Sequence, residues 1–215
     1  MYIQITERCN FSCEHCCMAA TAKGRDLSEK VFRAACKQDD MIMIGGGEPT
    51  LHPQFWKFLA IALAYGGSGV WMATNGSQTE TALVLAKMAK RGVLGVALSR
   101  DNYHRDIELE VVEAFTRDLP KNRYESTTQS NHDLREIRPV STIMAVGRGK
   151  DISGAENGCP CEETVVQPNG RMVWCGCDDA PYVGHVLKGG LKSSRQDFDS
   201  GICFKQCRPE LEEVT

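Results

Sequence analysis

Apolar and polar positions along the first 150 residues follow two alternating rhythms. Short apolar runs bounded by turn-forming residues, at Met1–Thr6, Met41–Ile44, Val70–Thr74 and Val93–Leu98, read as strands. Between them apolar residues recur every three or four positions, which predicts helices over Leu27–Cys36, Pro53–Tyr65 and Thr79–Lys90. Ser28 stands where the first of these needs an N-cap, and Gly66 with Gly67 closes the second. The pattern then weakens. Asp106–Thr116 reads as a fourth helix, Arg123–Gln129 as a weak fifth strand, His132–Ile137 as a short helix and Thr142–Val146 as a sixth strand. Repeated βα units at this spacing predict an α/β fold with a parallel sheet, curled by right-handed crossovers into an open, partial (β/α)6 TIM-like barrel.

Near Lys150 the rhythm stops and Gly and Cys become frequent, so the expected organisation is a barrel over residues 1–150 and a second unit over 151–215. Glu162–Trp174 alternates, turns at Asn169 and Gly170, and alternates again, which is the pattern of a β-hairpin. The second unit is therefore expected to be a small cysteine-rich β-hairpin domain.

Composition narrows the chemistry. A net charge of −3 carries no basic bias that would announce binding to a nucleic-acid backbone. No stretch reaches the unbroken apolar length of a membrane span and no charged-then-apolar leader precedes the first strand, so the expectation is a soluble cytoplasmic protein with no membrane partner. Eleven cysteines in such a chain argue for metal ligation over a disulfide framework.

Three of them, Cys9, Cys13 and Cys16, lie on one tight loop after the first strand, with the aromatic-type residue His15 just before the last. At this spacing three thiolates can hold three irons of a four-iron cluster and leave the fourth iron open to a cofactor. A structural zinc knuckle is the alternative use of such a trio. After the second strand comes the run Gly45, Gly46, Gly47, Glu48, Pro49, whose glycines let a ligand approach the backbone. Asn75 and Gly76 follow the third strand, and Ser99 and Asp101 the fourth. Each motif thus falls at the C-terminal end of a strand, where βα folds gather their functional groups.

The CxxxCxxC loop followed by Gly-Gly-Glu-Pro resembles the signature of the radical S-adenosylmethionine (SAM) enzymes. The resemblance implies a 4Fe-4S cluster on Cys9, Cys13 and Cys16, with SAM at its open iron and the methionyl ammonium held by the turn Gly45, Gly46, Gly47, Glu48 and Pro49. Glu48 then either reinforces that contact or fixes the turn. Ser99 and Asp101 resemble the family's ribose-contacting S-x-D run followed by His, which leaves Arg100, Tyr103 and His104 to face the substrate. Asn75 stands between three uses: a contact to the SAM carboxylate, a contact to substrate, or a plain Asn-Gly turn. The run Val146 to Gly149 resembles the Gly-Arg turn after the family's last barrel strand, and Ile143 to Val146 offers adenine an apolar surface.

Six further cysteines, Cys159, Cys161, Cys175, Cys177, Cys203 and Cys207, resemble in arrangement the twitch domain, a short form of the SPASM extension. That likeness implies a second, auxiliary 4Fe-4S cluster. Cys159 or Cys161, Cys175 and Cys207 are the expected ligands, with Cys177 and Cys203 competing for the remaining place; a zinc ribbon-like site is the alternative. Cys17 and Cys36 are not expected to be ligands, and Cys36 lies on an apolar helix face.

In the family, an electron from the reduced cluster splits SAM into methionine and a 5′-deoxyadenosyl radical, which takes a hydrogen atom from an unactivated carbon. The resemblance therefore implies an oxygen-sensitive enzyme served by an external electron donor such as flavodoxin or ferredoxin, with no catalytic side chain assigned. Its implied substrate is a peptide or a small metabolite. Nucleotide or nucleobase hypermodification of the kind phages encode is a second reading, and a non-catalytic metal-binding partner protein a third.

Overall fold

Strand β1 (Tyr2–Thr6) lies inside a nine-stranded sheet and pairs in parallel on both sides. The computed structural model describes residues 1–117, 132–140, 143, 145–155, 163–176 and 180–191. On one side of β1 follow β2 (Met41–Gly46), β3 (Gly69–Thr74), β4 (Gly95–Ser99) and β5 (Arg135–Arg138), each parallel to the last. On the other lies β6 (Val165–Val166), parallel to β1. It leads into an antiparallel meander of β7 (Arg171–Val173), β8 (Tyr182–His185) and β9 (Gly190–Leu191). The expected α/β fold with a parallel core is present. Among the described residues β5 and β9 are its two edges, and the sheet does not close on itself.

Register explains the two faces. Ile3, Ile44, Met72 and Val96 form one cross-strand row, each at most 1% exposed, on the face covered by the helices. Tyr2, Met43, Trp71 and Gly95 form the neighbouring row on the opposite face. The period of two along each strand makes this separation. Helix α1 (Glu29–Cys36) starts at Ser28, whose hydroxyl accepts from the N–H of Val31, and buries Val31, Phe32, Ala35 and Cys36. Helix α2 (Phe55–Tyr65) stacks Phe58 on Phe32 with ring centroids 4.4 Å apart. Burial of each ring is worth about 1.5–3 kcal/mol, which fixes α1 against α2. Helix α3 (Thr79–Lys90) turns Ala82, Leu85, Ala86 and Ala89 inward, and α4 (Leu109–Phe115) turns in Val111 and Phe115.

Two expectations need correction. His132–Ile137 is not a helix: β5 pairs with β4 from Val96↔Arg135 to Ser99↔Arg138. Its alternation is hidden because a charged residue holds a buried position. Arg135 is 6% exposed, and its guanidinium donates to both Asp133 carboxylate oxygens and to the carbonyl of Ala114. Such pairing makes a buried charge tolerable. The second correction is at Val146, which is not the end of a strand but leads into a 3₁₀ turn, Gly147–Asp151.

The hairpin stands where it was expected. Val165 pairs with Val173 across a turn in which Gly170 has φ +83° and Asn169 Oδ1 accepts the N–H of Arg171. The strand expected at 123–129, positions 142 and 144, and Cys159, Cys161, Cys177, Cys203 and Cys207 lie outside the described residues. No described helix is long and apolar enough to cross a membrane.

Candidate functional site

The loop that leaves β1 returns on itself before the first helix. Glu7 N–H donates to Arg25 O at 2.9 Å, Cys9 N–H to Thr21 O at 2.7 Å and Leu27 N–H to Ile5 O at 2.8 Å, so the cysteine-bearing excursion is pinned at its base. Thr6 Oγ1 and the Arg8 guanidinium both reach Asp26, closing the same base with side chains. Farther out, Arg148 clasps the loop. Its Nε donates to Cys13 O at 2.8 Å, its Nη1 to Ala20 O at 2.7 Å and its backbone N–H to Cys16 O at 3.1 Å. The preceding Gly147 has φ +56°, and a Cβ there would stand 2.3 Å from Cys17 O. Only glycine fits.

The glycine turn after β2 is shaped by the same loop. Gly47 N–H donates to Thr6 O and Glu48 N–H to Arg8 O. A Cβ on Gly47 would lie 2.3 Å from Arg8 O and 2.9 Å from Cys9 Cβ, and one on Gly46 2.5 Å from Thr6 O. Gly45 has its side-chain space filled by the Tyr2 hydroxyl, which accepts the N–H of Gly46 at 3.0 Å. Burial raises the Tyr2 pKa above the ordinary phenol value and keeps it neutral. These glycines therefore serve the approach of two backbones as well as any approach by a ligand.

Glu48 is 1% exposed. Its Oε1 accepts from Thr50 N, Thr50 Oγ1 and Thr74 Oγ1, and its Oε2 accepts from Asn75 N at 2.7 Å. Burial pushes this carboxyl above the usual range, and the four donors pull it back in part. Of its two expected roles the geometry supports fixing the turn, because the carboxylate ties the end of β2 to the end of β3. Asn75, 7% exposed, faces the cysteine loop: its Nδ2 lies 3.1 Å from Asn10 Oδ1 and 3.8 Å from Cys9 Sγ.

After β4, Asp101 is held on all sides. Oδ1 accepts from Tyr103 N and bonds His104 Nδ1 at 2.8 Å, while Oδ2 accepts from Val140 N at 3.1 Å and lies 3.9 Å from His15 Nε2. Burial alone would raise its pKa, but His104 and the two backbone N–H groups outweigh that and hold the carboxyl below its usual value. Burial lowers the pKa of His15, whose Nδ1 has no hydrogen-bond partner among the described residues. Asp101 thereby ties the β4 loop to Val140 and stands beside His15 of the cysteine loop.

One cleft gathers most of these groups. Cys9, Cys13 and Cys16 line it together with Gly46, Gly47, Glu48, Pro49, Asn75 and Ser99. Tyr2, Cys17 and His104 line it too, none of them placed in a cofactor or metal site from sequence. Tyr2 was detectable only through its strand parity, since it shares a face with Gly45. Gly45 lies beneath the Tyr2 ring, Asp101 stands behind His104, and Val146 leads into the Gly147 turn packed on the Cys16 and Cys17 carbonyls.

The donor set fits a cluster better than a single ion. Among the described residues, the only three potential ligand atoms all within 4.8 Å of one another belong to His15, Asp101 and His104. The three thiols stand farther apart as a set than one tetrahedral zinc with bonds of about 2.3 Å would place them. Cys9 Sγ accepts the N–H of Phe11 at 3.4 Å. Toward β7, Cys175 is fully buried, and a Cβ on Gly176 would stand 2.8 Å from Met18 Cε, so the cysteine end of the hairpin abuts the cluster loop.

A family model described as the radical SAM superfamily matches residues 3–157. The mycofactocin maturase MftC of Mycolicibacterium smegmatis is 26% identical over 179 residues, covering 78% of this chain and 44% of that protein. MftC of Mycobacterium tuberculosis H37Rv is 31% identical over the same length, with the same coverage. The chain spans about half the length of these curated relatives. The crystal structure of Streptococcus suis SuiB bound to S-adenosylmethionine aligns with a TM-score of 0.46 at 12% identity, over 88% of this chain and 64% of that one.

Proposed function

Since the chain belongs to the radical SAM superfamily, we propose that Cys9, Cys13 and Cys16 hold a 4Fe-4S cluster and that SAM docks between it and the turn Gly45 to Pro49. When bound and reduced, the cluster would supply one electron to SAM, which would split into methionine and a 5′-deoxyadenosyl radical able to take a hydrogen atom from substrate. The protein's own part is positional. Gly46 and Gly47 keep the turn close enough to the cysteine loop to contact both partners, and Glu48 holds it there. Ser99 offers its hydroxyl to the ribose from the same cleft, with His104 anchored beside it by Asp101. The apolar parts of the cleft wall, Phe11 and Ala73 among them, limit water around the reacting carbon.

The observation that carries this reading is the single cleft joining three thiols to the glycine turn. We assign the hairpin region beyond residue 150 to an auxiliary 4Fe-4S cluster with Cys175 among its ligands, supported by the burial of Cys175 beside the cluster loop. For the substrate, the relatives named mycofactocin maturase favour a peptide over a metabolite or nucleotide. Reconstitution with iron and sulfide tests the assignment. Cys13→Ala loses about half the iron of the wild type and Cys175→Ala the other half. Wild-type iron in Cys13→Ala contradicts the first cluster; wild-type iron in Cys175→Ala contradicts only the second.

A further inference from the structure

We propose that Asn75 sets the reduction potential of the cluster on Cys9, Cys13 and Cys16, through an N–H···S bond to the Cys9 sulfur. The inference rests on the ligand reading given above. Sequence alone leaves Asn75 between a SAM contact, a substrate contact and a turn residue; its Oδ1 makes the turn, and its NH2 group is left facing sulfur. Its Oδ1 accepts the N–H of Ser77 at 2.9 Å, which turns the NH2 group toward Asn10 Oδ1 at 3.1 Å and Cys9 Sγ at 3.8 Å. Its backbone N–H is held by Glu48 Oε2 at 2.7 Å. The amide is thus fixed at both ends, and at 7% exposure its dipole is little screened by water. Among the described residues, Cys9 is the only one of the three cysteines whose sulfur receives a side-chain donor.

A donor on a ligating sulfur draws electron density from it and favours the more negative, reduced cluster, so hydrogen bonds to sulfur raise the potential. The step concerned is uptake of one electron from an external donor, with no bond made or broken. Asn75 is a positioning residue in this sense: it acts through Cys9 and makes reduction easier.

The test is an anaerobic redox titration of the reconstituted full chain followed by electron paramagnetic resonance, reading the signal that added SAM perturbs. Asn75→Ala lowers the reduced-to-oxidised ratio at fixed solution potential about tenfold, which for one electron corresponds to about 59 mV. Asn75→Asp keeps the acceptor for Ser77 but replaces the donor with a negative charge, and lowers the ratio further. It also carries the comparison if Asn75→Ala assembles no cluster. Ser77→Ala breaks the Asn10 to Ser77 link while keeping the donor, and leaves the midpoint unchanged. A wild-type midpoint in both Asn75 variants at wild-type iron content overturns the proposal, as does an equal shift in Ser77→Ala. A wild-type chain with no signal responsive to SAM overturns the ligand reading itself.

Discussion

Glu48 shows how one side chain can order the ends of two strands. Four donors converge on its two oxygens from β2, β3 and the turn between them. Glu48→Gln puts an NH2 group against at least one of those donors, leaving it unsatisfied in a buried place. The expected cost is about 1–3 kcal/mol of stability, read by urea unfolding of the chain without cofactors. Asp101 gives a pH-dependent counterpart. Its folded pKa lies below the unfolded value of 3.8, so its contribution is fully present above that pH and is lost as pH falls through the lowered folded value. The stability difference between wild type and Asp101→Asn should therefore be largest above pH 3.8 and shrink below it, as thermal melts across acid pH will show. Cys36 serves packing: it is buried on the inward face of α1, and burial pushes its thiol up to about 12.

At the scale of elements, the cysteine loop is held by parts distant in sequence. Arg148 and Gly147 grip it from more than 120 residues away, and Thr21 to Leu27 fold back to close its base. Gly147→Ala would force a Cβ onto the Cys17 carbonyl at a positive φ, so the loop must move. The expected result is a chain with native circular dichroism that retains fewer irons per molecule after gel filtration; full iron retention would count against the clasp. None of this grip was legible in the sequence, because the contacts join segments with no shared periodicity. Strands β1 to β4 and helices α1 to α3 were legible, since each buries one regular face. The β6–β7 hairpin was legible from the alternation on either side of Asn169 and Gly170. Strand β5 was missed because Arg135 occupies an inward position, neutralised by Asp133, and so disguises the alternation. The motifs at the strand ends share one cleft, whereas the grouping of His15, Asp101 and His104 depends on side-chain directions that spacing does not carry.

Over the whole molecule, the sheet order puts β1 between two different halves. The strands β2 to β5 carry the glycine turn, Asn75, Ser99 and Asp101 on one side, and β6 and β7 bring Gly176, next to the buried Cys175, against Met18 of the loop from the other. The cysteine loop is thus the shared boundary of both proposed clusters. The proposed binding and reductive cleavage of SAM at this boundary is read on the anaerobically reconstituted chain given dithionite and SAM, with chromatography for 5′-deoxyadenosine. Wild type should form 5′-deoxyadenosine and Cys13→Ala none. Wild-type protein that carries its iron yet forms no 5′-deoxyadenosine would contradict that proposal.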